Sequence, residues 1–427
     1  MKRLLCLLAL CVTPAMALDC TWEPTVQVGV VDASAGPTLN EASGIAQSWL
    51  NEDVFWSHQD NANDERLFAL ARDGRYLATY DLAVPAARDP EDIAIGPGPG
   101  SGHYIYYGDI GHNDGIWGCK SDGTGCGGCA AGHNCTERNP RVWRTPEPSV
   151  DPAQNYAAVQ NHPAVTLEFT YPDVMLGHQQ DSETLMIDPL NGDLYIITKR
   201  NSPNMIFKRS APLNSGQLEY MGDVPSAGRP NTGGDISKDG KLIALVRDGA
   251  NDVHVWERLP GQTIAEAFTN TPCQITGLNH GQSEAVTFDT DNSGTFYTIS
   301  EGGGQRPIYM TTRSPLTISV QWTPVTSQAD FYYRVGWGDT EGAYTDSVNV
   351  DSGAVTATVA VDDCGPWFFA AKTCLLRDGT DPCSEWRRAV KEQGSADDGP
   401  FFLTGPSCAP PPLGEVWLTT AVSGPGG

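Results

Sequence analysis

The sequence predicts an all-β protein, a six-bladed β-propeller followed by a β-sandwich. Three observations predict it. The first is a repeated phrase in which a carboxylate precedes a short apolar run: Glu41-Ala42-Ser43-Gly44-Ile45-Ala46, Glu91-Asp92-Ile93-Ala94, Glu183-Thr184-Leu185, Asp235-Ile236-Ser237 and Glu284-Ala285-Val286. These acids stand 50, 92, 52 and 49 residues apart, so a unit of about 50 fits, with one copy eroded in the long gap. The second is the texture between the acids. Asn or Asp with Gly punctuates β-rich runs, while helical periodicity is nearly absent. The third is a change of texture at Ser314, where the repeat stops and shorter strands follow.

The turns are Arg72-Asp73-Gly74, Pro189-Leu190-Asn191-Gly192, Lys238-Asp239-Gly240 and Asp291-Asn292-Ser293-Gly294. Such pairs supply the positive-φ residues that tight hairpins need. Strands follow each of them: Arg75-Tyr76-Leu77, Leu194-Tyr195-Ile196-Ile197, Leu242-Ile243-Ala244-Leu245 and Phe296-Tyr297-Thr298-Ile299. Asp289-x-Asp291-x-Ser293-Gly294 also opens like a calcium loop. Its twelfth position is Ser300 instead of Glu, so it is read as a blade turn.

The chain of 427 residues is too long for one ordinary core unless that core is a ring with a module attached. Residues 1–17 read as a signal peptide: Met1-Lys2-Arg3, an apolar stretch from Leu4 to Val12, then Ala15-Met16-Ala17. The stretch is too short to span a bilayer. The reading is a secreted protein, extracellular or periplasmic, with no membrane insertion. A net charge of −25 argues against nucleic acid and anionic membranes as partners and suits a protein that holds calcium. Oligomeric state is not legible.

Twelve cysteines become ten once Cys6 and Cys11 leave with the signal, an even number for an oxidising compartment. Cys20 and Cys273 are expected to bond where the N-terminal strand joins the last blade. Cys119, Cys126, Cys129 and Cys135 crowd a Cys-rich insertion at 115–140. Disulfides are the reading there, with zinc, aided by His112 and His133, the alternative. Asn134-Cys135-Thr136 is formally a glycosylation sequon. Cys364, Cys374, Cys383 and Cys408 are expected to pair among themselves.

The propeller is assigned to 18–313, a sandwich to 314–392 and a flexible tail to 393–427. In the sandwich, six short strands are read at 317–324, 331–337, 344–350, 355–361, 367–372 and 386–390. The succession Trp322-Thr323-Pro324, Tyr333-Arg334-Val335, Gly342-x-Tyr344 and Phe368-Phe369-Ala370-Ala371 resembles a fibronectin type III module.

In a propeller the inner strand of each blade lines the central channel, so Glu41, Glu91, Glu183, Asp235 and Glu284 are expected to converge at one mouth. A second ring follows at the ends of the next strands: His58-Gln59-Asp60-Asn61, Asp109 to Asn113, Lys199-Arg200-Asn201, Arg247-Asp248 and Glu301. Crowded carboxylates repel one another unless cations neutralise them. Oxygen ligands in this number suit Ca²⁺. The alternative is that each acid caps its own strand through backbone amides.

The phrases Glu41-Ala-Ser-Gly-Ile-Ala, Trp56-Ser-His-Gln-Asp60, Asp89-Pro-Glu-Asp-Ile-Ala-Ile-Gly-Pro97, Tyr107-Gly-Asp-Ile-Gly111, Asp181-Ser-Glu-Thr-Leu185, Gly233-Gly-Asp-Ile-Ser237 and Gly281-Gln-Ser-Glu-Ala285 resemble an uncharacterised group of exported bacterial six-bladed propellers. More distantly, the chain is similar to calcium propellers of the gluconolactonase, paraoxonase and phytase kinds. That likeness implies an axial calcium held by Glu41, Glu183, Asp235 and Glu284, polarising an ester or lactone carbonyl. This chain departs from those families in having acids where they often use Asn, and it lacks the Asp-rich phytase signatures.

In a hydrolase of esters, lactones or phosphoesters, His58, His112, His178 or His280 would act as general base. Lys199, Arg200 and Arg247 would stabilise an oxyanion or phosphate. Each histidine has a plainer reading as a hydrogen-bonded wall residue. No Gly-x-Ser-x-Gly, His-Glu-x-x-His or Gly-x-x-x-x-Gly-Lys motif is present. Two functions remain: a calcium-dependent hydrolase, or a non-catalytic protein binding a small-molecule or extracellular polymer ligand, with the sandwich serving adhesion.

Overall fold

A computed structural model describes residues 20, 22–31, 39, 41–112, 139–151, 158–172, 180–199, 201, 203–224, 230–247, 249, 251–278, 283–300, 306–314, 316–321, 331–338, 342–354, 356–361, 368–375, 383, 387–390 and 416–418. The signal peptide, His178, Arg200, His280, the sequon and the four cysteines of the insertion lie outside the described residues. So do Cys364, Cys408 and most of the tail. The described residues fall into two compact units, one within 20–313 and one from 314 onward.

Strand β1 (Val26–Val30) precedes the first blade. Blade I holds β2 (Ala42–Gln47), β3 (Val54–Gln59), β4 (Arg66–Ala71) and β5 (Tyr76–Leu82). Blade II holds β6 (Asp92–Pro97), β7 (His103–Asp109) and β8 (Arg141–Pro146). Next come β9 (Gln160–His162), which pairs in parallel with β5, and β10 (Val165–Thr170), the fourth strand of blade II. Blade III holds β11 (Ser182–Ile187), β12 (Leu194–Thr198), β13 (Asn204–Arg209) and, after β14 (Gly216–Gln217), β15 (Glu219–Val224). Strand β14 pairs in parallel with β10 of blade II. Blade IV holds β16 (Asn231–Ile236), β17 (Leu242–Arg247), β18 (Asp252–Glu257) and, after the one-turn helix α1 (Ile264–Ala267), β19 (Cys273–Thr276). Blade V holds β20 (Ser283–Phe288), β21 (Phe296–Ser300) and β22 (Pro307–Thr311), and β1 supplies its outermost strand by pairing antiparallel with β22.

The propeller class is as expected; the blade number is not. Among the described residues the ring has five blades, and the inner strands β2, β6, β11, β16 and β20 touch in a closed cycle. Among the described residues, the stretch between Glu91 and Glu183 holds no further blade. It completes blade II, whose β7 and β8 are separated by residues 110–140, and it lends β9 to blade I.

The turn glycines do what the sequence implies. Gly192, Gly240 and Gly294 have φ of 81°, 75° and 80° and join inner to second strands in blades III, IV and V. Gly74, at 86°, instead joins β4 to β5, and Asp53 at 57° serves the first turn of blade I. Asp289–Gly294 is a blade turn: Asp289 accepts from Thr290 N and the Tyr297 hydroxyl, and Asp291 from Ser293 N.

The core lies between blades. Trp56, Ile93, Tyr107 and Trp143 pack blade I on II; Leu185, Phe169 and Phe207 pack II on III; Met186, Ile236 and Trp256 pack III on IV; and Phe55, Phe68, Tyr297 and Ile308 pack V on I. Burying such a side chain fully stabilises by about 1.5–3 kcal/mol, so each of these four inter-blade faces is a core in its own right. The inner strands approach closely where they meet. A Cβ on Gly233 would fall 2.4 Å from the carbonyl oxygen of Glu284, which reserves this position for glycine.

The second unit contains β23 (Leu316–Gln321), β24 (Phe331–Gly338), β25 (Asp346–Asp351), β26 (Thr356–Val361), β27 (Phe368–Leu375), β28 (Arg387–Val390) and β29 (Val416–Leu418). Its order is β25-β24-β27-β28-β29-β23-β26, with β23–β26 and β25–β24–β27 as the long antiparallel ladders. All six strands read from the sequence occur. Within the segment assigned to the tail, the described residues 416–418 form β29, which pairs with both β23 and β28. Cys374 bonds Cys383.

Cys20 bonds Cys273, across 253 residues. The partner strand is β19 of blade IV and not, as expected, part of the last blade, so the bridge ties the residues before β1 to a blade other than the one β1 completes. A loop this long loses much of its entropy when cross-linked, on the order of 2–5 kcal/mol. The Cys20→Ser/Cys273→Ser protein is therefore expected to lose about that much stability by denaturant titration. Unchanged stability would show that β1 pairing alone closes the ring.

Candidate functional site

Four of the five inner strands depart from regular register near their first residues: β2 between Ala42 and Ile45, β11 between Ser182 and Thr184, β16 between Asn231 and Gly233, and β20 between Ser283 and Ala285. A bulge re-aims the side chain it carries. Glu183 and Glu284 occupy this place in blades III and V, and both are buried. In blade II the corresponding acid, Glu91, sits just before β6 and is only 4% exposed.

Glu91 is the centre of a carboxylate cluster. Oxygens of Asp60, Asp89 and Glu91 lie within 4.8 Å of one another, as do those of Glu91, Asp181 and Glu183. Asp60 follows β3 and its amide donates to the Glu41 carbonyl (2.8 Å). Asp89 is held by Asp109, whose Oδ1 accepts from the amides of Arg88 and Asp89, each at 2.9 Å. Arg88 and Arg141 neutralise Asp109 in turn. Asp181 accepts from the His112 amide at 2.9 Å, a bond between blades II and III. Glu183 is ion-paired with the Lys199 ammonium. Gly111 makes room for the central acid, since a Cβ there would fall 2.1 Å from Glu91 Oε1.

Burial raises the Glu91 carboxyl well above its ordinary value, and the charges of Glu183, Asp60, Asp89 and Asp181 push it the same way. Burial opposes the charge on Lys199, but Glu183, with Glu284 and Glu91 behind it, outweighs burial and raises the ammonium. Among the described residues, Lys199 is the ammonium ion-paired with this cluster. Glu91 Oε1 is buried and has no hydrogen-bond partner, which is uncommon for a buried carboxylate oxygen. Hard oxygen donors spaced so that three reach one centre fit a cation with oxygen distances of about 2.3–2.6 Å, the range of Ca²⁺.

The other expected ligands stand apart from this set. Glu41 is exposed and accepts from Asn61 Nδ2 at 2.8 Å. Asp235 lies three residues past the bulge of β16, where Thr232 takes the place of Glu183. Its oxygens accept from Phe288 N (2.8 Å), Thr287 Oγ1 (3.0 Å) and Ile236 N (2.8 Å). It takes the amide of its own neighbour Ile236 and two donors from β20, and so links blades IV and V. Asp92 does the same between more distant strands, with Oδ2 accepting from Leu185 N (2.9 Å) and Gly234 N (3.4 Å). Glu284 is buried close enough to act on Lys199.

The described catalytic candidates are similarly divided. Arg247 is buried in a two-pronged pair with Asp252 (2.8 and 2.5 Å), to which Gln274 also donates. His58 is fully buried against Tyr107, with ring centroids 4.5 Å apart, and burial lowers it to about 4. It is a wall residue, neutral at pH 7. His112 is buried beside Asp181, and Lys199 is at the cluster itself. The sequence reading placed Asp60 only in a secondary ring and gave Asp89 and Asp181 no role. The signal was present, because Asp89-Pro90-Glu91 and Asp181-Ser182-Glu183 share the spacing Asp-x-Glu, which puts two carboxylates on one side of an extended chain.

No family model matches the chain, and no curated protein does. Among solved structures, a luciferin-regenerating enzyme superposes with a TM-score of 0.35 at 10% identity, covering 67% of this chain and 94% of that one. The calcium-binding protein regucalcin from Agrobacterium tumefaciens gives 0.34 at 12% identity, covering 67% and 93%. The Cps50 (Swd1) β-propeller domain of Myceliophteria thermophila gives 0.34 at 9%, covering 67% and 99%. Likeness at this level carries no functional argument, and the fold rests on the strand pairing described above.

Two measurements follow from this geometry. A raised carboxyl means that the folded state keeps protons the unfolded chain has released, so stability falls as pH rises through the folded value. Asp235 is raised by burial from its ordinary 3.8 to about 6, and Glu91 is raised in the same direction. In chelator, the contribution of Asp235 is expected to be full below about 3.8 and lost as pH rises through about 6. The Asp235→Asn protein should show a correspondingly smaller fall in melting temperature over that interval, and an unchanged profile contradicts the assignment. Arg247→Met would strand the buried Asp252 and is expected to cost about 3–5 kcal/mol of stability. A loss of ligand binding or turnover at full stability would return Arg247 to the functional site.

Proposed function

We propose that this chain is an exported calcium-binding propeller whose cation sits at the starts of the inner strands of blades II and III, beside the end of β3 in blade I. The carrying observation is Glu91 Oε1, buried without a partner in the midst of Asp60, Asp89, Asp181 and Glu183. Asp60 and Asp89 are half-buried, which suits a cation reached from solvent at the ring's mouth. The disulfides Cys20–Cys273 and Cys374–Cys383 suit an oxidising compartment and so support export.

The ligands would be Glu91, Asp181 and Glu183 together with Asp60 and Asp89, which revises the set Glu41, Glu91, Glu183, Asp235 and Glu284. Bound calcium would supply charge neutralisation and Lewis acidity. The protein's own residues do the rest. Arg88 and Arg141, through Asp109, position Asp89. The His112 amide orients Asp181, and Lys199 holds Glu183. With Arg247 committed to Asp252 and His58 sealed in the wall, the reading favoured is non-catalytic. The mouth binds a small-molecule or extracellular polymer ligand, and a fibronectin type III-like sandwich serves as the attached module.

Thermal melting with and without chelator tests this. Added Ca²⁺ is expected to raise the melting temperature of the wild-type protein and to leave Glu91→Gln unchanged. At a hundred times the dissociation constant the gain would be about 2.7 kcal/mol. No response of the wild type to Ca²⁺ would sink the proposal. Calcium-dependent turnover in an ester, lactone and phosphoester screen would replace the non-catalytic reading with the hydrolytic one.

A further inference from the structure

We infer that His254 is an acid-sensitive joint in the seam between blades III and IV, where taking up a proton favours opening of the seam. Side chains alternate along a strand, so His254 shares one face of β18 with Asp252 and Trp256. Trp256 packs with Met186, Ile197 and Val224 of blade III, and the His254 ring lies against it with centroids 5.6 Å apart. His254 is only 8% exposed, and neither ring nitrogen has a hydrogen-bond partner. Its Nε2 stands 3.9 Å from Asp252 Oδ2. That oxygen is already filled. It accepts from Arg247 Nη2 and Gln274 Nε2, each at 2.5 Å, while Oδ1 accepts from Arg247 Nε at 2.8 Å. A carboxylate oxygen has two lone-pair sites, so a proton on His254 finds no acceptor in the closed seam. It adds a second buried cation beside Arg247 instead.

The charges that act on the ring are Arg247 of β17 and Asp252 of its own strand, and β19 faces it with the neutral Gln274. On blade III the charged side chains have partners of their own. Lys199 holds Glu183, Lys208 lies near Asp193 and Glu219, Arg209 donates to the carbonyls of Asn214 and Gln217, and Asp223 takes the Tyr220 hydroxyl. Burial, with Arg247 behind it, lowers His254 from 6.5 to about 4, and Asp252 offsets this only in part. The closed seam therefore binds fewer protons than the opened one. It weakens as pH falls below 6.5, and the loss is complete below about 4. Against burial, which raises it, hydrogen bonds from Arg247 and Gln274 lower Asp252, so its own contribution is lost only below its ordinary 3.8. Cys273, next to Gln274, stays bonded to Cys20, so blade IV remains tethered to the N-terminal residues when the seam opens.

Hydrogen exchange of the full-length, disulfide-intact protein tests this, read by mass spectrometry and corrected for the intrinsic pH dependence of exchange. Between about pH 7 and about pH 5 the opening equilibrium of the β18 amides is expected to rise on the order of tenfold in the wild type. His254→Phe, which cannot take a proton there, should show no such rise. Gln274→Met, at an exposed position, vacates a lone pair of Asp252 Oδ2 for the protonated ring and should diminish the rise. A flat wild-type profile overturns the inference, as does an equal rise in folded His254→Phe. The full wild-type rise in Gln274→Met overturns the filled carboxylate as its cause. The wild-type profile needs no variant, and His254→Gln repeats the comparison should His254→Phe fail to fold.

Discussion

Closure of the ring is the constraint on which the rest depends. A blade has two apolar faces, and each is satisfied only by a neighbour, so an open array would leave one face of its first and last blades in water. The chain closes the array by giving β1 to blade V, where it pairs with β22, and then fastens the preceding residues to blade IV through Cys20 and Cys273. The core of Phe55, Phe68, Tyr297 and Ile308 between blades V and I is complete only in the closed form. The carboxylate cluster depends on the packing of three consecutive blades, which bring Asp60, Glu91 and Glu183 together across tens of residues of sequence.

The fold was legible in the sequence because its signals are local. Alternating strands and turn glycines such as Gly192, Gly240 and Gly294 act within a few residues, and the structure returns them nearly in place. The blade number was not legible, because it depends on how the chain spends the long gap after Glu91. There the extra residues lengthen blade II and supply β9 to blade I, and nothing local distinguishes that from a worn repeat.

The site was legible in outline only. Aligning blades by their acids placed Asp235 with Glu183, whereas the bulges align Glu183 with Thr232 and Glu284. A bulge is a property of pairing between strands and leaves little trace in one of them. The same limit applies to Arg247, whose partner Asp252 lies across a hairpin and turns a candidate anion-binding group into a structural one. Where two acids follow the short spacing Asp-x-Glu, the signal was local again, and those acids meet.

Five blades rather than six make a tighter ring, and Asp92 measures how tight. Its carboxylate takes amides from β11 and β16, strands of the next blade and of the one beyond, so a single side chain bridges the middle of the ring. Three inner strands are thus tied through one side chain that stands next in sequence to Glu91, so a shift of any of these three blades is felt beside the carboxylate cluster.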